Sequence, residues 1–365
     1  MRLHLYFMRR FLSVVAIVFG VFFALYVLVE TEAGLRRFRT AGADLGDALG
    51  LALLKVPGEL VEILPVMVLL AALFFSLRLS QTSELVVARA AGRSLPAALA
   101  APALGALLVG VFVVTAVSPV VAALTRQHAL VTQRLVSGDA ELSISAEGLW
   151  LRQATETGQT VIHARRVGGD GTRLAEVSIF ELSNSGGLEA HYRAARAELS
   201  DGEWQLSDGK SWALGADQSE PEAAAQTFAQ TSLPAALSRE QVRDGLGTPA
   251  QVGFWDLPGF IARLQQAGFA PAEHLVHLHR LMALPVLLAA MTLIGAGFMA
   301  GHARAGGAGL KALLAVLAGF SVFFLANFAA VLGRNGEIPP MVAGWSLPLA
   351  AFLLGATLLL FREEG

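Results

Sequence analysis

His274, His277 and His279 form the group whose residue type and spacing first suggest chemistry, that of a metal site. On a helix 274 and 277 share one side, but 279 lies roughly 140° round from 274, and no carboxylate completes a set. Interfacial histidines at a helix entering a membrane account for them better. Gly307-Ala-Gly-Leu-Lys-Ala312 matches a dinucleotide fingerprint in letters only, since no strand precedes it and a long apolar run follows. It reads as a glycine-rich turn. No Gly-x-x-x-x-Gly-Lys-Ser/Thr occurs, so any ATP must be hydrolysed on another subunit. The chain has no cysteine, which removes disulfides, thiolate metal sites and cysteine nucleophiles together. The scattered serine, histidine and aspartate residues have no catalytic spacing. The chain is therefore not expected to be an enzyme, and it is expected to carry no cofactor.

Two other stretches carry functional promise. Arg36, Arg37 and Arg39 cluster just beyond the first apolar run. Between the second and third runs, Ser80 to Ser94 reads as a short helix of its own. Thr82 or Ser83 can accept from the free N–H groups of its first turn, and Glu84 sits at the positive end of the dipole. Gly92 can take the left-handed conformation that stops the helix, and Ser94 followed by Pro96 starts the next one. At helical spacing Glu84, Ala88 and Ala91 share one side, with Leu85 and Gly92 beside them. That is a small-residue face with one carboxylate, suited to a groove on another protein.

These residues must be positioned by a membrane protein. Of 365 residues 55% are hydrophobic and 15% charged, too apolar for a typical soluble chain. The mean hydropathy is +0.58. A net charge of −2 and the lack of a basic tail argue against nucleic acid as a partner. Phe11 to Val29 is an uncharged run behind Arg2, Arg9 and Arg10, long enough for an uncleaved anchor. Residues 30–59 read as polar and mixed. Leu60 to Leu77, Leu95 to Val117, Leu281 to Ala300, Leu310 to Leu332 and Met341 to Phe361 supply five further spans. From 119 to 255 the pattern changes to short alternating segments punctuated by Gly, Asp and Ser. His191 to Leu199, a turn at Ser200-Asp201-Gly202, and Glu203 onward form the clearest hairpin, and Asp208-Gly209 reads as a second turn. Asp256 to Gly268 is amphipathic, with Leu257, Phe260, Ile261 and Leu264 on one side, and is expected at a membrane surface or against the β domain.

The expected fold class is an α+β membrane protein. Six transmembrane helices carry an all-β, jelly-roll-like domain between helices 3 and 4. The expected domains are 1–118, holding three spans and the short cytoplasmic helix 82–92; 119–255, the β domain; and 256–365, the connector and last three spans. With the N-terminus inside, the cytoplasmic segments carry nine Lys or Arg and the short outer segments five, which places 78–94 in the cytoplasm and the β domain outside. Glu59 reads as a helix end outside the hydrocarbon, and Glu62 is costly unless paired or wet. Asn327 is expected to hydrogen-bond a neighbouring helix, and Gly297 and Gly301 to permit close packing.

Ser83-Glu84-Leu85-Val86-Val87, then Arg89-Ala90 and Gly92, closely resembles the coupling helix of the LptF/LptG permeases of lipopolysaccharide export. Gly148-Leu-Trp, Val161-Ile-His-Ala-Arg-Arg-Val and Pro285 resemble the same family in order. So do the glycine-rich loop near 306, Gly319-Phe320, and the ending Gly333, Gly336, Ile338-Pro339-Pro340, Ala343, Trp345 and Pro348. The Ser-Glu-Leu-Val-Val and Gly-Leu-Trp wording is closer to the G-type member than to the F-type.

The resemblance implies a multi-pass subunit of the bacterial inner membrane with its β domain in the periplasm. It implies pairing with a homologous F-type permease, two copies of a cytoplasmic ATPase subunit, and a single-span periplasmic jelly-roll partner. Lipopolysaccharide would enter from the outer leaflet and pass to a periplasmic bridge, driven by ATP bound on the partner subunit. Ser83, Glu84, Leu85, Ala88, Arg89 and Gly92 would dock into the ATPase, and Arg36, Arg37 and Arg39 would hold lipid A phosphates. The β interior, supplied by Trp150, Ile162, Ile179, Phe180, Tyr192, Trp204 and Trp212, is expected to accept acyl chains. The competing reading is a membrane-anchored β-domain scaffold, or a mechanotransmitter that moves no lipid.

Overall fold

The computed structural model describes residues 2–37, 44–82, 94–136, 141–145, 148–155, 158–168, 172–183, 187–200, 202–214, 225–235, 248–266, 270–299 and 308–364. The chain packs as two compact units, one of 1–128, 253–255 and 272–365, the other of 129–252 and 256–271.

The first unit is helical. α1 (Arg2–Arg37) and α2 (Leu45–Gln81) are followed by α3 (Leu95–Phe112), which runs through a π-helical turn (Val113–Val117) into α4 (Ser118–Val136). Later in the chain come α5 (Leu257–Gln266), a short helix of the second unit, and then, again in the first unit, α6 (Ala272–Met299), α7 (Ala308–Arg334) and α8 (Pro340–Glu364). Six of these helical runs are long and apolar enough to cross a membrane. The polar character of 30–59 is misleading in one respect: α1 continues to Arg37 and α2 begins at Leu45. At 1.5 Å per residue α1 is about 54 Å long, well beyond a hydrocarbon core of about 30 Å. The polar residues 30–37 are thus the last turns of α1, and Leu45 onward is already the second membrane-length helix.

Local chemistry sets the boundaries. Asp44 and Asp47 form a reciprocal capping box at the start of α2, with Asp47 N–H donating to Asp44 Oδ1 at 2.8 Å. Ser94 caps α3, accepting from Ala97 N–H at 3.2 Å, with Pro96 in its first turn. The π turn is stabilised from outside. Trp255 Nε1 donates to the carbonyl of Thr115 within it at 3.0 Å.

α6 is the centre of this unit, buried on every side from Leu287 to Gly297. Missing side chains allow the approach. A Cβ on Gly110 of α3 would lie 2.5 Å from Pro285 Cα, one on Gly355 of α8 2.8 Å from Leu293 Cβ, and one on Gly297 2.7 Å from a Leu358 methyl.

The second unit is a single antiparallel sheet of β1 (Glu141–Ser145), β2 (Gly148–Thr155), β3 (Gly158–Gly168), β4 (Arg173–Ser183), β5 (Leu188–Ser200), β6 (Glu203–Ala213) and β7 (Gln226–Pro234). The all-β insertion between the third and fourth spans is as expected, and its connectivity is now defined: strands neighbour one another in chain order, as a meander. The core face carries Leu149, Leu151, Ile162, Ile179, Trp204 and Leu206, and α5 adds Leu264 and Phe260 to it. The amphipathic helix thus takes the second of its two expected settings.

A crease crosses the sheet. Arg165, Glu176, Ala195 and Asp208 lie opposite one another on β3 to β6, and the ladder is interrupted at each. Glu176 and Asp208 both have φ of 54°, a conformation rare for residues with a side chain. Buried positions step by three across this row, Val177 to Leu174 and Ala194 to Ala197, so both halves keep their apolar side chains on one face. Asp208-Gly209 therefore makes no turn. Its aspartate supplies a left-handed residue inside a continuous β6, where the alternation needs a reset. The Ser200-to-Glu203 hairpin is present, with Gly202 at φ 80°.

Candidate functional site

The described arginines of the cluster, Arg36 and Arg37, occupy the exposed last turn of α1, where cations complement the helix dipole. Arg39 lies outside the described residues. Each neighbouring acid has a defined partner. Glu32 pairs with Arg36 one turn away. Glu30 binds Lys55 of α2 at 2.9 Å, with Glu59 at 3.8 Å from the same ammonium. Asp44 and Asp47 cap α2. The Arg36 side chain is 81% exposed, and such an i,i+4 pair is worth only about 0.3–0.5 kcal/mol. A phosphate dianion can displace Glu32 from it. Sequence reasoning misses Lys55, because its partner lies 25 positions away. Glu59 stands about four turns into α2, not at a helix end.

Ser83, Glu84, Leu85, Ala88, Arg89 and Gly92 all lie outside the described residues. What is defined is their frame: α2 closes at Thr82, and α3 opens at its Ser94 cap.

Inside the helical unit, α2, α6, α7 and α8 enclose a cavity of about 90 Å³ with Glu62, His277, Arg280 and Asn327 in its wall. Arg280 Nη2 donates to Asn327 Oδ1 at 2.8 Å, while Asn327 Nδ2 donates to the Phe323 carbonyl at 3.1 Å. Asn327 does bond a neighbouring helix, and its partner is legible in sequence only as one more charge in a histidine-rich stretch. Pairing an arginine with an amide carbonyl offsets part of its cost inside a membrane span. Glu62 reaches the same cavity, where water can solvate it.

The sheet divides the seven expected interior residues. Ile162, Ile179, Tyr192 and Trp204 belong to the core. Trp150, Phe180 and Trp212 are on the opposite face. There Phe180, His191 and Trp212 stack across β4, β5 and β6 with centroids 4.6 and 4.9 Å apart, and Trp150 stacks on His163 at 4.2 Å. Period-two alternation could have assigned these faces, but the phase reset at the crease hides it. Burial, then the nearby Arg193 charge, holds the His191 imidazole below its ordinary pKa. Hydrogen bonding and charge from Arg166, then from Arg165, hold the Glu176 carboxyl below its ordinary range.

The model of the family "Lipopolysaccharide export system permease LptF/LptG" matches residues 5–361. The chain belongs to the LptF/LptG family. Among curated proteins it is 25% identical over 355 residues to the lipopolysaccharide export system permease protein LptG of Escherichia coli K12, covering 93% of this chain and 94% of that protein. It is 24% identical over 371 residues to the LptG protein of Haemophilus influenzae, covering 96% and 97%. The LptF/LptG match spans both units, so the six membrane-length helices and the inserted β unit form one family architecture. The resemblance first seen in short motifs holds along nearly the whole chain.

Proposed function

We propose that this chain is a permease subunit of an ABC transporter that extracts lipopolysaccharide from the outer leaflet of the inner membrane. It passes the lipid to a periplasmic bridge leading to the outer membrane. The observation that carries this reading is the family match over residues 5–361, which includes both membrane helices and β unit. In this reading the chain pairs with a homologous F-type permease and binds a single-span periplasmic jelly-roll partner. Two copies of a cytoplasmic ATPase hold and hydrolyse the ATP, in keeping with a sequence that has no phosphate-binding loop. The segment Ser83 to Gly92 transmits their movement, and Glu84 makes a charge-assisted contact with a basic residue there. The β unit, 129–252 with 256–271, stands in the periplasm.

Arg36, Arg37 and Arg39 hold lipid A phosphates at the entrance, because guanidinium forks bind such oxygens bidentately. The exposure of Arg36 and its weak pairing with Glu32 support that role. The test replaces Arg36 and Arg39 together by Glu in the assembled complex. Lipopolysaccharide loading should fall while assembly and basal ATP hydrolysis persist. Normal loading by that variant would leave the cluster as an interfacial anchor only.

A further inference from the structure

The sheet face opposite the core carries two neighbouring rows of unlike chemistry. In one, Arg193 lies directly across from Lys210, with Ser178 on the β4 side and Thr227 on the β7 side. Both cations are exposed, and neither forms an ion pair with a described residue. Like charges directly opposite on adjacent strands destabilise a sheet. An oxyanion seated between them would reverse that effect, with the guanidinium offering a two-pronged contact and the flanking hydroxyls further donors. Two residues along, about 6.6 Å away, runs the stack of Phe180, His191 and Trp212. Where these rows meet the crease, Trp212, Arg193, Lys210 and Asp208 line a groove of about 650 Å³, within the usual range for a small-molecule site of about 300–1,000 Å³.

We propose that this groove binds a phosphorylated sugar, its phosphate on Arg193 and Lys210 and its ring against Trp212. The indole edge and face suit the weakly polarised C–H groups of a pyranose, and the Asp208 carboxylate can accept from its hydroxyls. The left-handed backbone at Asp208 brings that carboxylate to the groove. The inference rests on the reading of the chain as a lipopolysaccharide permease and assigns the glycan portion of that substrate to a surface separate from any acyl-chain interior.

The test uses the full chain in detergent micelles and titrates it with fully deacylated lipopolysaccharide, followed by tryptophan fluorescence and equilibrium dialysis. Three arms use the same glycan stripped of phosphate, inorganic phosphate alone, and intact lipopolysaccharide. Deacylated glycan should bind, and each of Arg193→Glu, Lys210→Glu and Trp212→Ala should weaken it by about tenfold or more. Trp212→Tyr should retain most of the affinity, which separates loss of the ring from loss of folding. Dephosphorylated glycan should bind at least about tenfold more weakly. Equal binding of inorganic phosphate and glycan would overturn the sugar assignment. Retention of intact lipopolysaccharide without any glycan binding would overturn the groove while leaving the permease reading in place. Failure to retain either ligand would count against both.

Discussion

Along α6 every residue from Leu287 to Gly297 is buried, whereas α1 buries the stripe Phe7, Phe11, Val15 and Val18 and leaves Ile17, Val21, Leu25 and Leu28 exposed. Both helices are apolar enough to cross a membrane, so hydropathy alone does not distinguish them. Size does. The buried stretch of α6 contains Ala289, Ala290, Gly295, Ala296 and Gly297, small residues that let three neighbours close on its backbone. α1 carries bulky aliphatic residues outward, as does α7 with Leu317, Phe324 and Phe328. A helix buried all round is a fixed centre, while a one-sided helix keeps its outer flank for lipid or another subunit.

Gly110 and Gly20 differ most in the space around them. A side chain on Gly110 meets the backbone of Pro285 in α6, which cannot swing aside, whereas a Cβ on Gly20 of α1 would meet no atom of another described element within 4 Å. Gly110→Val should lower stability by about 3 kcal/mol, and Gly20→Ala should raise it by no more than about 1 kcal/mol through helix propensity. Denaturant unfolding of both variants in micelles checks the contrast. Equal effects would remove the distinction.

Two leucines differ in the same sense. Leu288 of α6 is fully buried and Leu28 of α1 is 69% exposed. Leu288→Ala should cost about 1–2 kcal/mol, less than in a soluble core, because lipid tails already solvate aliphatic groups and mainly the cavity term remains. Leu28→Ala should be silent in the isolated chain. A loss confined to the assembled transporter would identify that flank as a subunit contact.

The smallest effect separates helices from sheet. The stretch Leu287 to Gly297 holds no titratable residue, whereas the sheet stacks His191 between Phe180 and Trp212. Because the folded imidazole has a lowered pKa, the unfolded chain binds more protons once pH falls below about 6.5. The stability of the β unit should therefore be highest above that pH and decline as pH falls towards 5.5. Burial raises the Glu181 pKa, which acts in the opposite sense, so the readout is the difference between wild type and His191→Gln. Thermal unfolding at pH 8 and pH 5.5 should show a smaller shift in the variant. An unchanged shift would dismiss the imidazole.

The spans, the hairpin at Gly202 and the Ser94 cap are legible in the sequence because each depends on near neighbours along the chain. β1 and β7 are not, since each gains its place only by pairing with a strand already in the sheet. Asp208-Gly209 reads wrongly as a turn because the same dipeptide supplies left-handed backbone to a hairpin or to a crease, and only the facing Ala195 decides between them. For the arginines, spacing reveals the cluster but not its partners: the acids of the neighbourhood are committed to Arg36, Lys55 and the α2 cap. Arg280 escapes notice because its meaning depends on Asn327, 47 positions away.

In the proposed function, ATP-driven movement of this chain transports lipopolysaccharide. The most direct measurement reconstitutes it with the F-type permease and the ATPase in proteoliposomes and follows photo-crosslinking of lipopolysaccharide to the β unit. Crosslinks should accumulate only with hydrolysable ATP, and Glu84→Ala should abolish the dependence while the subunits still copurify. ATP hydrolysis by an intact complex in which lipopolysaccharide never reaches the β unit would contradict the account.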